Sequence, residues 1–106
     1  MAWILLLAAG LLEIVWAFTM KLSQGFTRLG PTILTMLAMF ASFGLLSISM
    51  KTLPLGTAYA VWTGIGAVGA FIVGVVVLGE PLTAGRVAAA ALIVAGLGLM
   101  KLSTGT

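Results

Sequence analysis

The sequence contains no cysteine and no histidine, and only two of its 106 residues are acidic. The absence of cysteine excludes a disulfide framework, and without histidine there is no Cys/His metal site. We therefore expect no metal and no cofactor. Charge of either sign is also scarce, because charged residues make up 7% of the chain, against about 25% in soluble globular domains. This composition excludes a soluble fold.

Apolar residues account for 62% of the chain and form four long runs. A membrane-spanning helix needs about 20 mostly apolar residues. The segments between the runs, "KLSQGFTRLGP", "KTLPLG" and "GEPLT", are short and contain Gly or Pro, which is typical of turns. We therefore predict an all-α integral membrane protein in which residues 1–106 form a single four-helix transmembrane domain with consecutive helices antiparallel. The helices are expected at about residues 2–20, 31–50, 56–78 and 83–101.

The basic residues give almost no preference for one orientation in the membrane. Lys51 and Lys101 lie on one predicted side, and Lys21, Arg28 and Arg86 lie on the other. Orientation normally follows an excess of Lys and Arg in the cytoplasmic loops, and two against three is nearly balanced. Two interpretations stay open: charge does not decide the topology, or the chain inserts in both orientations and forms an antiparallel dimer.

The two acids differ in their predicted depth. With a rise of ~1.5 Å per residue, Glu13 lies roughly 15 to 18 Å into the first helix, near the middle of the bilayer. A charged carboxylate there costs ~2.5 kcal/mol or more, so it must face other helices or water. Glu13 is either a packing group that stays protonated or a site that exchanges protons. Glu80 lies beside Pro81 at a helix boundary, where we expect it to pair with Arg86 and assign it no role in transport.

Polar and aromatic residues from three helices are predicted at the depth of Glu13. Counted from the membrane face at the second turn, Ser42, Tyr59 and Trp62 lie roughly 12 to 16 Å deep. Trp16 shares a face of the first helix with Glu13, three residues away. We expect Ser42 and Trp62 to donate hydrogen bonds to the carboxylate, and Tyr59 to do so as well or to gate the pocket.

One face of the third helix has aromatic side chains at its start and mostly glycine further along. Gly64 and Gly66 make a plausible flex point, because glycine weakens a helix. Small residues also permit close packing between helices, and both interpretations stay open. The face consists of Tyr59, Trp62, Gly66, Gly69 and Val73.

The fourth helix carries an unbroken face of small residues and no polar residue between Arg86 and Lys101. Such a face lets another helix approach closely, which predicts association rather than ligand binding. We call it the small-residue face; its members are Ala84, Ala88, Ala91, Ala95 and Gly98.

Two segments, "GLLEIVWAFTMKLSQGFTR" and "LPLGTAYAVWTGIGAVGA", carry a resemblance to a known family. The chain resembles the small multidrug resistance family of bacterial exporters over essentially its whole length, and it is most similar to the guanidinium-exporter branch. Gly44 is smaller than the residue expected at this position in that branch, a difference that bears on the shape of the portal beside Ser42. The resemblance implies an antiparallel, dual-topology homodimer in the bacterial inner membrane, with helix 4 as the main dimer contact. It also implies that Glu13 of both subunits binds protons and substrate alternately, surrounded by Trp16, Ser42, Tyr59 and Trp62.

The function expected on this basis is proton-coupled export of guanidinium ion, without enzymatic activity. The partners are then a second copy of the chain, a small cation, protons and the bilayer, and no nucleic acid, because the basic residues are scattered singly. The closest alternative keeps the fold and exports quaternary ammonium and other hydrophobic cations, which need aromatic faces instead of hydrogen-bond acceptors. Two further classes are a proteolipid ring subunit of a rotary ATP synthase and an accessory membrane subunit without transport of its own.

Overall fold

In a computed structural model, which describes residues 1–104, the chain forms four helices. They are α1 (Ala2–Leu22), α2 (Leu29–Ser49), α3 (Leu55–Val76) and α4 (Ala84–Thr104). Each is long and apolar enough to cross a membrane. Their bounds differ from the predicted ones by no more than three residues at either end.

The turn between α1 and α2 is built around Ser23. Its hydroxyl donates to the carbonyl of Met20 (2.6 Å) and accepts a hydrogen bond from the backbone N–H of Phe26 (3.0 Å). The α2 helix begins at Leu29, two residues before the predicted start at Pro31. A proline in the first turn of a helix is tolerated because its missing N–H would have had no partner there.

Helix α1 occupies the middle of the bundle, with α2 on one side and α3 on the other, while α4 packs on α3. The buried apolar core therefore lies between the first three helices. Its fully or nearly fully buried members are Leu6, Ala9, Leu46, Leu53, Ala58, Val61 and Trp62.

Glycines bring α1 and α3 into close, parallel contact. A Cβ at Gly10 would lie 2.6 Å from the Ile65 Cγ2 atom, and one at Gly69 would overlap the side chain of Ile14. Gly64 makes the corresponding contact with α4, through Leu97. These contacts support the close-packing interpretation of the glycines, and α3 is one continuous helix through Gly64 and Gly69.

Helix α4 has no buried residue in the single chain. Ala88, Ala91, Ala95 and Gly98 are all exposed, and nothing lies within 4 Å of a Cβ placed at Gly98. The C-terminal end of α4 contacts the start of α1, where the Lys101 ammonium lies 4.5 Å from the ring centroid of Trp3. The small-residue face is therefore available for another helix.

Candidate functional site

The Glu13 side chain lies directly against Gly66 of α3. A Cβ at position 66 would be 2.7 Å from the Glu13 Cγ atom and closer still to the carboxyl group. Only glycine at this position therefore leaves room for the carboxylate between α1 and α3. Glu13 Oε1 is buried and has no hydrogen-bond partner among the described residues.

Ser42 joins the three core helices at the level of Ala9, which lies one helical turn before Glu13 on α1. Its hydroxyl donates to the carbonyl of Ala9 on α1 (2.6 Å) and accepts a hydrogen bond from the indole N–H of Trp62 on α3 (2.9 Å). The expectation that Ser42 and Trp62 donate to Glu13 is wrong for this arrangement, because the single hydroxyl proton and the single indole proton are already engaged.

Four aromatic rings form a continuous cluster beside this hydrogen-bonded chain. The Phe43 ring lies edge-on to Trp16 and Trp62, at centroid distances of 6.3 Å and 5.7 Å, and Tyr59 lies 5.6 Å from Trp62. Tyr59 is 54% exposed, whereas Trp62 is 6% exposed, so the cluster reaches from the core to the surface of the chain. The indole nitrogen of Trp16 is buried and, among the described residues, has no hydrogen-bond partner.

Sequence reasoning did not select Phe43. Depth in the membrane singles out the polar groups and polar aromatics, and Phe43 has no polar atom. Its position next to Ser42 was the one feature of the sequence that could have indicated it. Successive residues of a helix are turned by about 100°, so Phe43 lies beside the face through which Ser42 contacts the other helices.

The residues predicted around Glu13 are thus brought together on three helices, but with different partners. Gly66 and Trp62 lie one turn apart on α3, and Ser42 is bonded to Trp62. Gly64 lies apart from the carboxylate, against α4. The four predicted dimer-contact residues of α4 lie on the exposed surface.

A buried carboxylate oxygen without a donor has a specific chemical consequence. A polar group removed from water without a hydrogen bond costs free energy, and a charged one costs more. A proton on the carboxyl group removes the charge, and a bound cation compensates it. A proton and a cation would therefore compete for the same oxygens, and the rings of the aromatic cluster have faces on which a cation can lie.

Comparisons with known proteins show which family the sequence is similar to. A family model described as Small Multidrug Resistance protein matches residues 1–93. The protein named Guanidinium exporter from Citrobacter freundii is 59% identical over 104 residues, which cover 98% of this chain and 99% of that protein. The Guanidinium exporter of Escherichia coli (strain K12) is 58% identical over the same shares.

Proposed function

The chain belongs to the small multidrug resistance family, and we propose that it exports guanidinium ion in exchange for protons. It lies in the bacterial inner membrane, which its four apolar helices cross. We propose further that the working unit is an antiparallel, dual-topology homodimer in which two copies of Glu13 form one shared binding site.

The observation that carries the proposal is the unpartnered oxygen of Glu13 against Gly66. Glu80, the other acid of the chain, lies between α3 and α4 and pairs with Arg86. Exchange therefore depends on one carboxylate per chain. A cation that binds Glu13 displaces its proton, and a proton that returns releases the cation.

The unpartnered acceptor at Glu13 favours guanidinium as the substrate. Guanidinium is planar and presents its N–H groups as a fork that matches carboxylate oxygens. Trp62 donates to Ser42, and Ser42 donates to the carbonyl of Ala9, so neither proton is used on the carboxylate, which remains an acceptor for the substrate. The names of the relatives from Citrobacter freundii and Escherichia coli support the same ion.

We propose that the second copy contacts the first through α4. Its small-residue face is exposed in the single chain, and small residues allow helices in a membrane to approach closely. Because the charged loops are nearly balanced, both orientations are accessible. Alternating exposure of the shared site to the two sides of the membrane then moves substrate outward and protons inward. If one cation displaces the protons of both carboxylates, two protons enter for each cation that leaves. Net positive charge then moves inward, and the membrane potential contributes to export.

The aromatic cluster of Trp16, Phe43, Trp62 and Tyr59 favours one alternative substrate class, hydrophobic quaternary ammonium ions, which bind to ring faces. Purified protein in liposomes separates the two substrates. With a pH gradient imposed, we expect uptake of guanidinium that is absent from Glu13→Gln, and little uptake of tetrapropylammonium. Equal transport of both ions would favour the alternative, and transport of neither would refute the proposed function.

A further inference from the structure

The Arg86 side chain is itself a guanidinium group, and three groups around the α3–α4 connection bind it. Its Nη2 atom donates to Glu80 Oε1 (3.4 Å), and its Nη1 atom donates to the carbonyl of Pro81. Its Cζ atom lies 5.1 Å from the centroid of the Phe71 ring. We call the carboxylate of Glu80, the carbonyl of Pro81 and the ring of Phe71 the Arg86 site. A carboxylate, a carbonyl and an aromatic face are also the partners that a free guanidinium ion takes.

The backbone of Glu80 is held by a contact that does not involve Arg86. The backbone N–H of Glu80 donates to the carbonyl of Gly74 (3.0 Å). A Cβ at Gly74 would lie 2.9 Å from the carboxyl carbon of Glu80, so this glycine makes room for the carboxyl group beside α3. The space that accommodates the carboxyl group therefore does not depend on the arginine side chain.

The Arg86 site opens into a cavity that extends towards Glu13. The cavity has a volume of about 320 Å³, and its lining includes Ala17 and Ala70 at one end and Glu80 and Arg86 at the other. Ala17 lies one helical turn beyond Glu13 on α1, and Ala70 lies one turn beyond Gly66 on α3. A cation in this cavity thus lies between the central carboxylate and the membrane surface.

We propose that the Arg86 site is a second, peripheral guanidinium site, which Arg86 occupies until a free guanidinium ion displaces it. This inference rests on the proposed function for the identity of the ion. Both members of the Glu80–Arg86 pair are 38% exposed, and an ion pair this open to solvent contributes little to stability, so an incoming ion of the same shape can replace the arginine. Lys21 also lines the cavity, but an ammonium group lacks the planar fork that fits a carboxylate.

A direct test follows the Arg86 side chain by NMR in the Glu13→Gln protein, where the central carboxylate is absent. Arg28 and Arg86 are the two arginines of the chain, so labelling arginine with ¹⁵N gives one signal for the site and one internal control. Titration with guanidinium chloride should shift the side-chain signal of Arg86 and leave that of Arg28 in place. Sodium chloride at equal ionic strength should move neither. An Arg86 signal that guanidinium leaves unchanged would overturn the inference.

Binding to double variants tests the same site without relying on the arginine signal. In Glu13→Gln/Arg86→Ala, the internal competitor is gone, and guanidinium should bind ~2- to 5-fold more tightly than in Glu13→Gln alone. Adding Glu80→Gln should abolish that binding. Circular dichroism checks that each variant is folded, and Arg86→Lys serves as a second, conservative replacement that should also bind more tightly than Glu13→Gln alone. Equal affinities with and without Glu80 would refute the peripheral site.

These outcomes separate the inference from the proposed function. Guanidinium binding that depends on Glu13 but never on Glu80 leaves the proposed function standing and removes the peripheral site. Binding that depends on Glu80 in a protein that fails to transport guanidinium removes the proposed function and supports the peripheral site.

Discussion

Gly66 and Ser42 shape the surroundings of Glu13 in two different ways. Gly66 contributes an absent side chain, which the Glu13 carboxyl group fills. Ser42 contributes one hydroxyl, through which α1, α2 and α3 are joined. Gly66 therefore makes room for the carboxylate, and Ser42 holds together the three helices one turn away from it. Each role can be tested by a substitution.

Gly66→Ala should reduce guanidinium transport by ~10-fold or more, because the new methyl group occupies the space of the Glu13 carboxyl group and moves the binding atoms. The helix itself should not weaken, since alanine is the better helix former. Gly56→Ala in the same helix is the matched control, because nothing lies within 4 Å of a Cβ there. Flux from liposomes measures the effect. Similar fluxes for the two variants would show that Gly66 does not position Glu13.

Ser42→Ala should lower the stability of the fold by ~1 kcal/mol, because the indole N–H of Trp62 and the carbonyl of Ala9 both lose their partner. Thermal unfolding in detergent, followed by tryptophan fluorescence, measures the change. Ser47→Ala on the exposed side of α2 should have almost no effect. If the two serine variants unfold alike, the buried hydrogen bonds contribute nothing measurable.

Helices α1 to α3 form the packed part of the chain, and α4 differs from them at the scale of the element. The first three share a core, whereas α4 has no buried residue and presents its small-residue face outward. A membrane surrounds an isolated helix with apolar chains, so exposure by itself is not unfavourable. The face nevertheless gives α4 a shape that another helix can fit closely.

Ala95→Leu should weaken dimerisation by ~1 to 3 kcal/mol, because the added carbons overfill a close helix contact. Gly96→Leu adds a similar bulk about 100° around the same helix, at a position with no heavy atom within 4 Å of a Cβ. It should weaken dimerisation much less. Crosslinking yield as a function of the detergent-to-protein ratio measures the difference. If Ala95→Leu dimerises as well as the wild type, association does not depend on this face.

The positions of the helices could be predicted because bilayer thickness sets the length of each apolar run. The site could be predicted only in depth. Counting residues from the turns places Ser42, Trp62 and Glu13 at a similar height, but depth does not specify rotation about a helix axis or which helices are neighbours. The bond from Ser42 to the carbonyl of Ala9 depends on both. The contact between Glu13 and Gly66 likewise requires α1 to pack directly on α3. The antiparallel order of consecutive helices makes these two helices parallel, but it does not say that they are neighbours.

The two ends of the bundle carry nearly equal numbers of basic residues. Lys51 and Lys101 lie at one end of the bundle, and Lys21, Arg28 and Arg86 lie at the other. This balance is the physical basis of the proposed dual topology. It also means that one added charge can decide the orientation.

The chain should insert in both orientations. Because it lacks cysteine, Ser103→Cys introduces a single thiol at an exposed position near the end of α4, and a membrane-impermeant maleimide should label about half of it from either side. Adding Gln24→Lys, in the turn that carries Lys21 and Arg28, should shift the labelling strongly towards one side. Uniform labelling of Ser103→Cys from one side would rule out the antiparallel dimer.

The central claim is that guanidinium and protons compete for Glu13, and proton release on binding tests it most directly. In weakly buffered detergent solution containing a pH indicator, guanidinium chloride should release protons from the wild-type protein and none from Glu13→Gln. The apparent affinity should fall as the pH is lowered from about 9 to about 5, because protonated carboxyl groups no longer attract the cation. Guanidinium binding that releases no protons, with an affinity that stays constant over this range, would contradict the exchange mechanism.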